Sequence, residues 1–557
     1  MMSASTGFRN PVVPGFNPDP SIVRVDGDYF LITSSFEYFP GIPIYHSTDL
    51  VNWSLIGHAL SRLSQLDLRS CEPGTGIQAP TIRYNKGRFY VTACAVHRTS
   101  PANAMDPRIM PRSFYVSTSD IWAKDNWSDP TFFDVLGIDP DLFFDDDGKT
   151  FLSVAGIMTD PAARQQHKGI PLAPHIVEVD LATGNSLGPL TLLRAGVVGN
   201  GVSEGSHLLK RDGLYYLLTA DGGTEVAHQE WISRNASSPF GPWEVGPAGV
   251  NPLVFNDDHP DVQQTGHMDM VEGLDGRWWA VFLGVQPVKE GDKSLLSQLG
   301  RETFLAPVTW KDGWPIVNDG QPISLTGPSS AGLTRVEEQF RKVLLFKPGQ
   351  DIHKDGWYHL RTPQKKAYDL DAVPGSIALY GGPYDLRVDE NVTMLLQKQT
   401  AFEGVWEVTL DYRPCASGHE AGTTVWWSKW AFASVGIRGV ESQVDAKVER
   451  EMVFRFPEPE GDEFKETVTP MEGPPGPVHI RIVAEPTRYT FLAGADSSFL
   501  REIGSISSRV LVRTRPFDAI FTGTHLGIYA VGADNQGSWT PAVFSDITWS
   551  GLRAGGK

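Results

Sequence analysis

The chain is poor in cysteine, in long apolar runs and in positive charge. Its 557 residues include three cysteines, and so sparse and odd-numbered a set excludes a disulfide framework. No stretch reaches the roughly 18 consecutive apolar residues that a membrane-spanning helix needs. The 48 basic residues are outnumbered by 66 acidic ones, which gives a net charge of −18. Because this charge repels phosphate backbones and anionic lipid headgroups, we expect neither nucleic acid nor a membrane as a partner.

The composition predicts an all-β protein of more than one domain. The chain exceeds the roughly 250–300 residues at which a single hydrophobic core stops growing. It contains 56 glycines, 41 prolines, 28 phenylalanines, 16 tryptophans and 15 tyrosines. Such usage is typical of many short strands joined by turns.

One phrase recurs five times in the first half of the chain: a glycine, two aromatic or apolar residues, and an apolar strand. The copies are GDYFLITSS, GRFYVTACA, GKTFLSVAG, GLYYLLTAD and GRWWAVFLG, and they begin at Gly27, Gly87, Gly148, Gly213 and Gly276. Each copy follows a short apolar strand and a polar turn, which is the pattern of a β-hairpin. Three copies continue into a further strand and a turn that contains tryptophan. Four strands per repeat and a period of 60 to 65 residues predict a five-bladed β-propeller over residues 1–325.

A polar residue stands eight or nine positions before the glycine in every copy. These residues are Asp19, Gln78, Asp139, Glu204 and His267. The first strand of each propeller blade lines the central channel, so we expect the five side chains to meet near the axis. Each of them alone has an ordinary interpretation as a turn residue, a solvated charge or a structural histidine. Their recurrence at one blade position favours a functional site, where crowding should raise the pKa of at least one carboxyl group.

Several phrases resemble glycoside hydrolase family 43, in particular its two-domain β-xylosidase and α-L-arabinofuranosidase branch. They occur in order along the predicted propeller and include NPDPS from Asn17, APTIRY from Ala79, GIDPDLFF from Gly137, SEGSHLL from Ser203 and LGRETF from Leu299. The resemblance implies an inverting glycoside hydrolase that acts on plant hemicellulose such as arabinoxylan and xylo-oligosaccharides. It implies no required cofactor and no catalytic metal.

The resemblance also assigns roles to residues of this chain. It implies that Asp19 is the general base, that Glu204 is the general acid, and that Asp139 tunes and orients the acid. Arg301 would contact substrate, and Phe36 would form a wall of the sugar pocket.

His267 matches a family histidine near the axis, beside which the resemblance allows a structural cation. Gln78 departs from the family pattern, because many relatives have tryptophan there. The family's substrate preference therefore does not carry over with its carboxylates, although the Gln78 amide could bind sugar hydroxyls.

The five-copy phrase ends near residue 325, and residues 326–340 are predicted to be a linker. Segments of residues 341–557 alternate apolar and polar residues between glycine and proline turns, which favours an antiparallel β-sandwich. The segment also resembles the lectin-like sandwich domain of the same family branch.

Three functions stay open at this stage. They are an exo-acting pentosidase, an endo-acting hydrolase of the same fold, and a non-catalytic carbohydrate-binding protein. The complete set of Asp19, Asp139 and Glu204 favours an enzyme, and the sandwich domain, which walls off the site in the family, favours exo action. Arabinofuranose and xylose are equally expected products. The first residues, MMSASTGFRN, hold no apolar segment typical of a secretion signal, but the substrate favours an extracellular location.

Overall fold

The protein is built almost entirely of β-strands. The computed structural model describes residues 7–69, 71–99, 108–124, 126–290, 293–328, 339–442, 447–458, 463–471, 476–512 and 521–552. Within these ranges the helical segments are a six-residue α-helix, α1 (Pro161–Gln166), and the short 3₁₀ turns Asn318–Gly320, Ile352–Asp355 and Ser508–Val510. None of the helices in the described ranges has the length and apolarity that crossing a membrane requires.

The first part of the chain forms five antiparallel sheets, as predicted. Its strands are β1 (Ser21–Val25), β2 (Asp28–Ile32), β3 (Tyr38–Phe39), β4 (Gly41–Ser47), β5 (Ser54–Leu60), β6 (Gly76–Asn85), β7 (Arg88–Thr99), β8 (Arg108–Thr118), β9 (Thr131–Phe132), β10 (Ile138–Phe144), β11 (Thr150–Ile157), β12 (Leu172–Asp180), β13 (Asn185–Ser186), β14 (Thr191–Leu192), β15 (Ser203–Arg211), β16 (Leu214–Asp221), β17 (Gln229–Asn235), β18 (Glu244–Val245), β19 (Gln263–Glu272), β20 (Trp278–Val285), β21 (Val288–Glu290), β22 (Lys293–Leu295), β23 (Glu302–Lys311) and β24 (Trp314–Val317). The blades have the strand orders β1-β2-β4-β5, β6-β7-β8-β9, β10-β11-β12-β13 with β14 also on β12, β15-β16-β17-β18 and β19-β20-β23-β24, while β21 and β22 form a separate hairpin. The five-bladed β-propeller is therefore confirmed.

The repeated phrase is the second strand of each blade. These strands are nearly continuous in buried residues, because both faces of each strand pack against neighbouring blades. The turns before them explain the glycine. In the second and fourth blades, Lys86–Gly87 and Asp212–Gly213 all have positive φ, which is the geometry of a two-residue type I′ hairpin.

The beginning of the chain closes the propeller against its last blade. The N–H of Val12 donates a hydrogen bond to the carbonyl oxygen of Thr303, and the N–H of Asn10 donates to that of Leu325. The Asn10 side-chain amide also donates to the Leu305 carbonyl at 2.9 Å. These bonds join the first and fifth blades, so the ring has no open edge.

The second part of the chain is a sandwich of two large antiparallel sheets, also as predicted. Its strands are β25 (Gln339–Leu344), β26 (Tyr358–Leu360), β27 (Tyr368–Asp369), β28 (Ile377–Leu379), β29 (Met394–Lys398), β30 (Glu403–Asp411), β31 (Glu420–Ser428), β32 (Ala431–Glu441), β33 (Val448–Pro457), β34 (Phe464–Pro470), β35 (Val478–Glu485), β36 (Arg488–Gly494), β37 (Arg501–Ser507), β38 (His525–Val531) and β39 (Ala542–Leu552). One sheet has the order β27-β28-β39-β30-β35-β36-β37 with β25 also on β39, and the other has β3-β26-β29-β38-β31-β32-β33-β34. Alternating burial along β35 and β36 reflects one face in the core and one toward solvent.

The two parts of the chain share a sheet, which the sequence did not reveal. The strand β3 of the propeller region pairs with β26, so that Tyr38 lies opposite Leu360 and Phe39 opposite His359. The predicted linker at 326–340 falls between Val317, where β24 ends, and the early residues of β25. Its residues 329–338 lie outside the described ranges, and the exact domain bounds stay a prediction.

One arginine, whose side chain is 17% exposed, connects the inner strand of its own blade to those of the other four. Arg83 belongs to the second blade, and its Nη1 donates to Asp269 of the fifth blade at 2.7 Å and to Ser21 of the first at 3.3 Å. Its Nη2 lies 3.1 Å from the Asp141 carboxylate of the third blade and 3.2 Å from His207 Nδ1 of the fourth. The Asp141 side chain is fully buried and that of Asp269 is 5% exposed. Arg83 therefore neutralises two buried carboxylates that belong to different blades.

Arg83→Met should lower the free energy of unfolding by about 3–5 kcal/mol, because it leaves Asp141 and Asp269 buried without a cation. Urea denaturation followed by tryptophan fluorescence measures this change. Arg88→Met is the matched control, since Arg88 is exposed at the turn of the same hairpin and should change stability by no more than about 0.5 kcal/mol. Equal stability of the two variants would contradict the role given to Arg83.

Candidate active site

Asp19 lies at the mouth of the channel, directly before the inner strand of the first blade. Its Oδ1 accepts a hydrogen bond from Arg301 Nη1 at 3.0 Å, and its Oδ2 accepts one from the Ser34 hydroxyl at 2.5 Å. His267 Nδ1 lies 3.6 Å from Oδ1. Burial alone would raise the pKa of Asp19, but Arg301, His267 and Ser34 together hold it below its ordinary value. The carboxyl group is therefore ionised at neutral pH.

Ser34 connects Asp19 to the second blade. Its hydroxyl oxygen accepts a hydrogen bond from the N–H of Ala79 at 2.7 Å while the hydroxyl donates to Asp19. Since the hydroxyl proton is committed to the carboxylate, the orientation of Asp19 is fixed from two blades at once.

Glu204 and Asp139 form a second group of carboxyls in the same site. The N–H of Gly205, next to Glu204, donates to Asp139 Oδ2 at 2.9 Å. Burial, followed by the charges of Asp139 and Asp19, raises the pKa of Glu204 to about 8. Burial also raises the pKa of Asp139, although the Gly205 N–H favours its charged form. Glu204 is thus the group of the site that holds a proton near neutral pH.

The five predicted positions do not form one ring of equivalent residues. A left-handed residue precedes or interrupts the inner strand of every blade, and these residues are Asp19, Ala79, Asp139, Gly205 and His267. Gln78 and Glu204 each stand one residue earlier, which corrects the expectation of a single position. The third and fifth hairpins have five-residue turns, whereas the others have two-residue turns. The structurally equivalent residue therefore stands nine positions before the glycine in the third and fifth blades and eight positions before it in the others.

Arg301 is the cation of the site and contacts both domains. Besides Asp19, its guanidinium donates to the Thr224 hydroxyl at 3.0 Å and to the Phe521 carbonyl at 3.4 Å. Its charged carbon lies 5.8 Å from the ring centre of Phe36 and 5.4 Å from that of Phe521. Two aromatic rings therefore hold the cation beside Asp19, one from each domain.

Gln78 and His267 lie at the same channel mouth. The Gln78 amide donates to the Gly74 carbonyl at 3.2 Å, so part of its hydrogen-bonding capacity is already used within its own loop. His267 lies 5.9 Å, ring to ring, from His207, and burial lowers its pKa. A substrate-binding role for Gln78 and His267 stays a prediction.

Two family models match this chain in the order of its two domains. "Glycosyl hydrolases family 43" covers residues 8–315, and "Beta xylosidase C-terminal Concanavalin A-like domain" covers residues 350–550. The chain belongs to glycosyl hydrolase family 43. It is a glycoside hydrolase with a C-terminal concanavalin A-like domain.

Relatives match the family 43 chain over nearly its whole length. A non-reducing end alpha-L-arabinofuranosidase of Bacteroides ovatus is 34% identical over 99% of this chain and 95% of its own. A xylosidase/arabinosidase of Humicola insolens is 31% identical over 96% of both chains. The solved structure titled Bacteroides ovatus Xyloglucan PUL GH43B has a TM-score of 0.80 at 33% identity, covering 98% of this chain and 99% of the other.

The cation suggested beside His267 finds no set of ligands. In the described part of the chain, no group of three or more histidine, cysteine, aspartate or glutamate side chains is arranged to hold a metal ion. The Asp19 carboxylate, which lies 3.6 Å from His267 Nδ1, already accepts hydrogen bonds from Arg301 and Ser34.

Several residues of this family 43 site were missed from the sequence. Ser34 follows the second strand of the first blade. Nothing in the sequence distinguishes it from the small polar residues Thr33 and Ser35 on either side. Thr224 and Phe521 contact Arg301 from segments 77 and 220 residues away in the chain. No local pattern marks a contact of that kind, because it depends on how the domains pack.

Asp139→Asn should shift the alkaline limb of the pH profile of kcat/KM by about one unit toward lower pH. The substitution removes a negative charge that raises the pKa of Glu204, so Glu204 loses its proton at a lower pH and activity declines earlier. The measurement is the rate of oligosaccharide hydrolysis between pH 4 and 10, a range of about six units around the relevant pKa values. Asp146→Asn, at an exposed turn residue of the same blade, is the control. An unchanged alkaline limb in Asp139→Asn would show that Asp139 does not tune the acid.

Proposed function

We propose that this protein is an inverting, exo-acting glycoside hydrolase that releases terminal α-L-arabinofuranosyl or β-D-xylosyl residues from arabinoxylan or xylo-oligosaccharides. In this proposal Asp19 is the general base, Glu204 the general acid and Asp139 the residue that tunes and orients the acid. One observation carries it. Two carboxyl groups of one site have pKa values moved in opposite directions, that of Asp19 down and that of Glu204 up to about 8.

The reaction needs both protonation states at once. Cleavage passes through an oxocarbenium-like state, in which the leaving oxygen must receive a proton while water attacks the opposite face of the sugar. Glu204 supplies the proton and becomes a carboxylate. Asp19 takes a proton from the attacking water and becomes an acid. Exchange of protons with solvent then restores both groups.

Arg301 keeps Asp19 ionised and so separates its role from that of Glu204. It donates a hydrogen bond to Asp19 at 3.0 Å and lowers the pKa of that carboxyl, whereas for Glu204 burial and the charges of Asp139 and Asp19 outweigh the smaller effect of Arg301. Inversion requires the two carboxyls to stand roughly 6.5–9.5 Å apart, so that water fits between Asp19 and the sugar. The anomer first released, observed by proton NMR, reports directly on this geometry.

The wall formed by Phe36 and Phe521 favours exo action. Phe521 comes from the sandwich and lies against Arg301, so the second domain borders the reacting groups on one side. A groove that accepts the middle of a polymer would have to be open on both sides of the scissile bond. An endo-acting hydrolase and a non-catalytic carbohydrate-binding protein are the alternatives.

Arabinose and xylose remain equal candidates for the released sugar. The relatives include both an arabinofuranosidase and a xylosidase/arabinosidase by name. Gln78 stands where many family members have an indole, and its amide offers hydrogen bonds instead of a flat apolar face.

A polymeric plant substrate also favours action outside the cell, and an acidic chain disfavours nucleic acid and anionic membranes; both stay predictions.

Glu204→Ala should lower kcat on xylobiose or arabinoxylan oligosaccharides by about 10²–10⁴-fold, because sugar leaving groups require protonation. The loss should be much smaller on a p-nitrophenyl glycoside, whose leaving group departs without an acid. Asp19→Ala should lower kcat on both substrates, because the water must be activated in either case. Steady-state kinetics with both substrate types measures the contrast.

Glu272→Ala, at an exposed end of the fifth blade, is the control for a lost carboxylate. Chromatography of the products then identifies the sugar, since arabinose shows debranching and xylose shows β-xylosidase action. Release of internal oligosaccharides would favour the endo-acting alternative. If neither pentose appears, or if Glu204→Ala keeps full activity on oligosaccharides, the catalytic assignment is wrong.

A further inference from the structure

A cavity lies between the two domains, and its walls do not include the reacting carboxyls. It has a volume of about 610 Å³, and both the propeller and the sandwich contribute to its walls. Asp19, Asp139, Glu204 and Arg301 are not among the residues that line it. A volume of this size lies within the range of sites that hold small molecules.

The cavity is positively charged in a strongly negative protein. The ionic side chains at its walls are the cations Arg341, Lys342, Lys354 and Lys398 and the single carboxylate Asp355. The whole chain carries a net charge of −18, so an excess of three basic side chains over acidic ones at this cavity reverses the general pattern. Such an excess attracts an anion.

Lys398 is held in the cavity by neutral groups. Its Nζ donates to the Asn17 side-chain oxygen at 2.8 Å and lies 5.5 Å and 5.2 Å from the ring centres of Phe16 and Tyr358. No carboxylate of the described residues forms an ion pair with it, and burial alone lowers its pKa to about 7. Since an ammonium ion has three donors, Lys398 retains capacity for an anionic acceptor.

A second lysine faces the same space. Lys342 Nζ donates to the backbone carbonyl of Asp355 at 2.6 Å and to the Gln397 side-chain oxygen at 2.8 Å. Both acceptors are neutral. Uncharged oxygens therefore hold both lysines in place, while the nearby Asp355 carboxylate partly offsets the charge of Lys342.

Aromatic side chains also line the cavity, and two of them, Trp53 and Phe340, are half-buried while the others are buried. The aromatic residues are Tyr45, Trp53, Phe340, Tyr358 and Trp549. Flat apolar faces combined with a few directed polar groups are typical of a site for a ring-shaped organic ligand, and they distinguish this cavity from a simple phosphate site lined by backbone amides.

We propose that the interdomain cavity is a binding site for a carboxylate-bearing saccharide unit, a uronic acid, whose carboxylate pairs with Lys398 and Lys342 and whose ring lies against the aromatic wall. The anionic part of this proposal rests on the cavity alone, whereas the saccharide part rests on the proposed function. The site would let the enzyme hold acidic branches of a hemicellulose while the channel mouth cleaves neutral ones.

Isothermal titration calorimetry with D-glucuronate tests the proposal on the full-length protein. We expect saturable binding at one site, and no binding of D-glucose, which differs by having a hydroxymethyl group in place of the carboxylate. Lys398→Met should weaken the binding of glucuronate at least tenfold, because it removes a charge-assisted hydrogen bond and keeps the chain length. Lys398→Arg should restore part of the affinity, and retained hydrolytic activity in both variants shows that they are folded.

Three results would overturn the proposal. They are the absence of glucuronate binding, equal binding of glucose, and unchanged affinity in Lys398→Met. Inorganic phosphate is the competing anion, and if it displaces glucuronate at equal concentration the saccharide assignment fails.

Glu204→Gln separates this site from the channel mouth. Unchanged glucuronate affinity in Glu204→Gln supports a distinct site, whereas lost affinity would move the ligand to the catalytic pocket and contradict the proposal. If the wild type binds glucuronate but releases no pentose from any substrate, the proposed function fails and the anion site stands.

Discussion

The contact of one guanidinium group with five blades is the interaction on which the rest of the structure depends. Arg83 bonds to Ser21, Asp141, His207 and Asp269, one residue from each of the other blades. Each partner follows the left-handed residue of its own blade by two positions, namely Asp19, Asp139, Gly205 and His267. Because Arg83 fixes the positions of its four partners, it also fixes the left-handed residues that stand two positions earlier in the chain. A hydrophobic plug would fill the axis as well, but it would not set the distances between strands, since dispersion contacts lack direction.

The carboxyl groups at the channel mouth differ in protonation state because positive charge is distributed unequally around them. Asp19 and Asp139 are buried and Glu204 is half-buried, and burial favours protonation of each of them. Arg301 bonds to Asp19 and not to Glu204, so one carboxyl stays ionised while the other keeps its proton. The arrangement has a cost in stability. Because Glu204 binds its proton more tightly in the folded state than in the unfolded state, stability declines as pH rises from about 4.5 toward about 8.

The sequence predicted what local patterns determine and missed what packing determines. The five blades were evident because each central strand is buried on both faces and follows a turn that needs glycine, as at Gly87 and Gly213. The phase of Gln78 and Glu204 was misjudged because two turns are longer than the other three, a difference that leaves the spacing of the glycines almost unchanged. Phe521 could not be foreseen, since its contact with Arg301 spans 220 residues.

The shared sheet explains why the sandwich belongs to the active site. Tyr38 and Phe39 form its edge strand opposite His359 and Leu360, and the N–H of the next residue, Arg361, donates to the Glu37 carbonyl. Phe36, which directly precedes this segment, has a φ of 51° and lies against Arg301. A left-handed phenylalanine costs of order 1–3 kcal/mol, so it persists only where its surroundings fix it. Strand pairing on one side and the Ile77 carbonyl, which accepts the Phe36 N–H, on the other provide that constraint. The position of an aromatic wall in the first domain is thus set jointly by the Ile77 carbonyl of its own domain and by strand pairing with the second, and the two domains form one site.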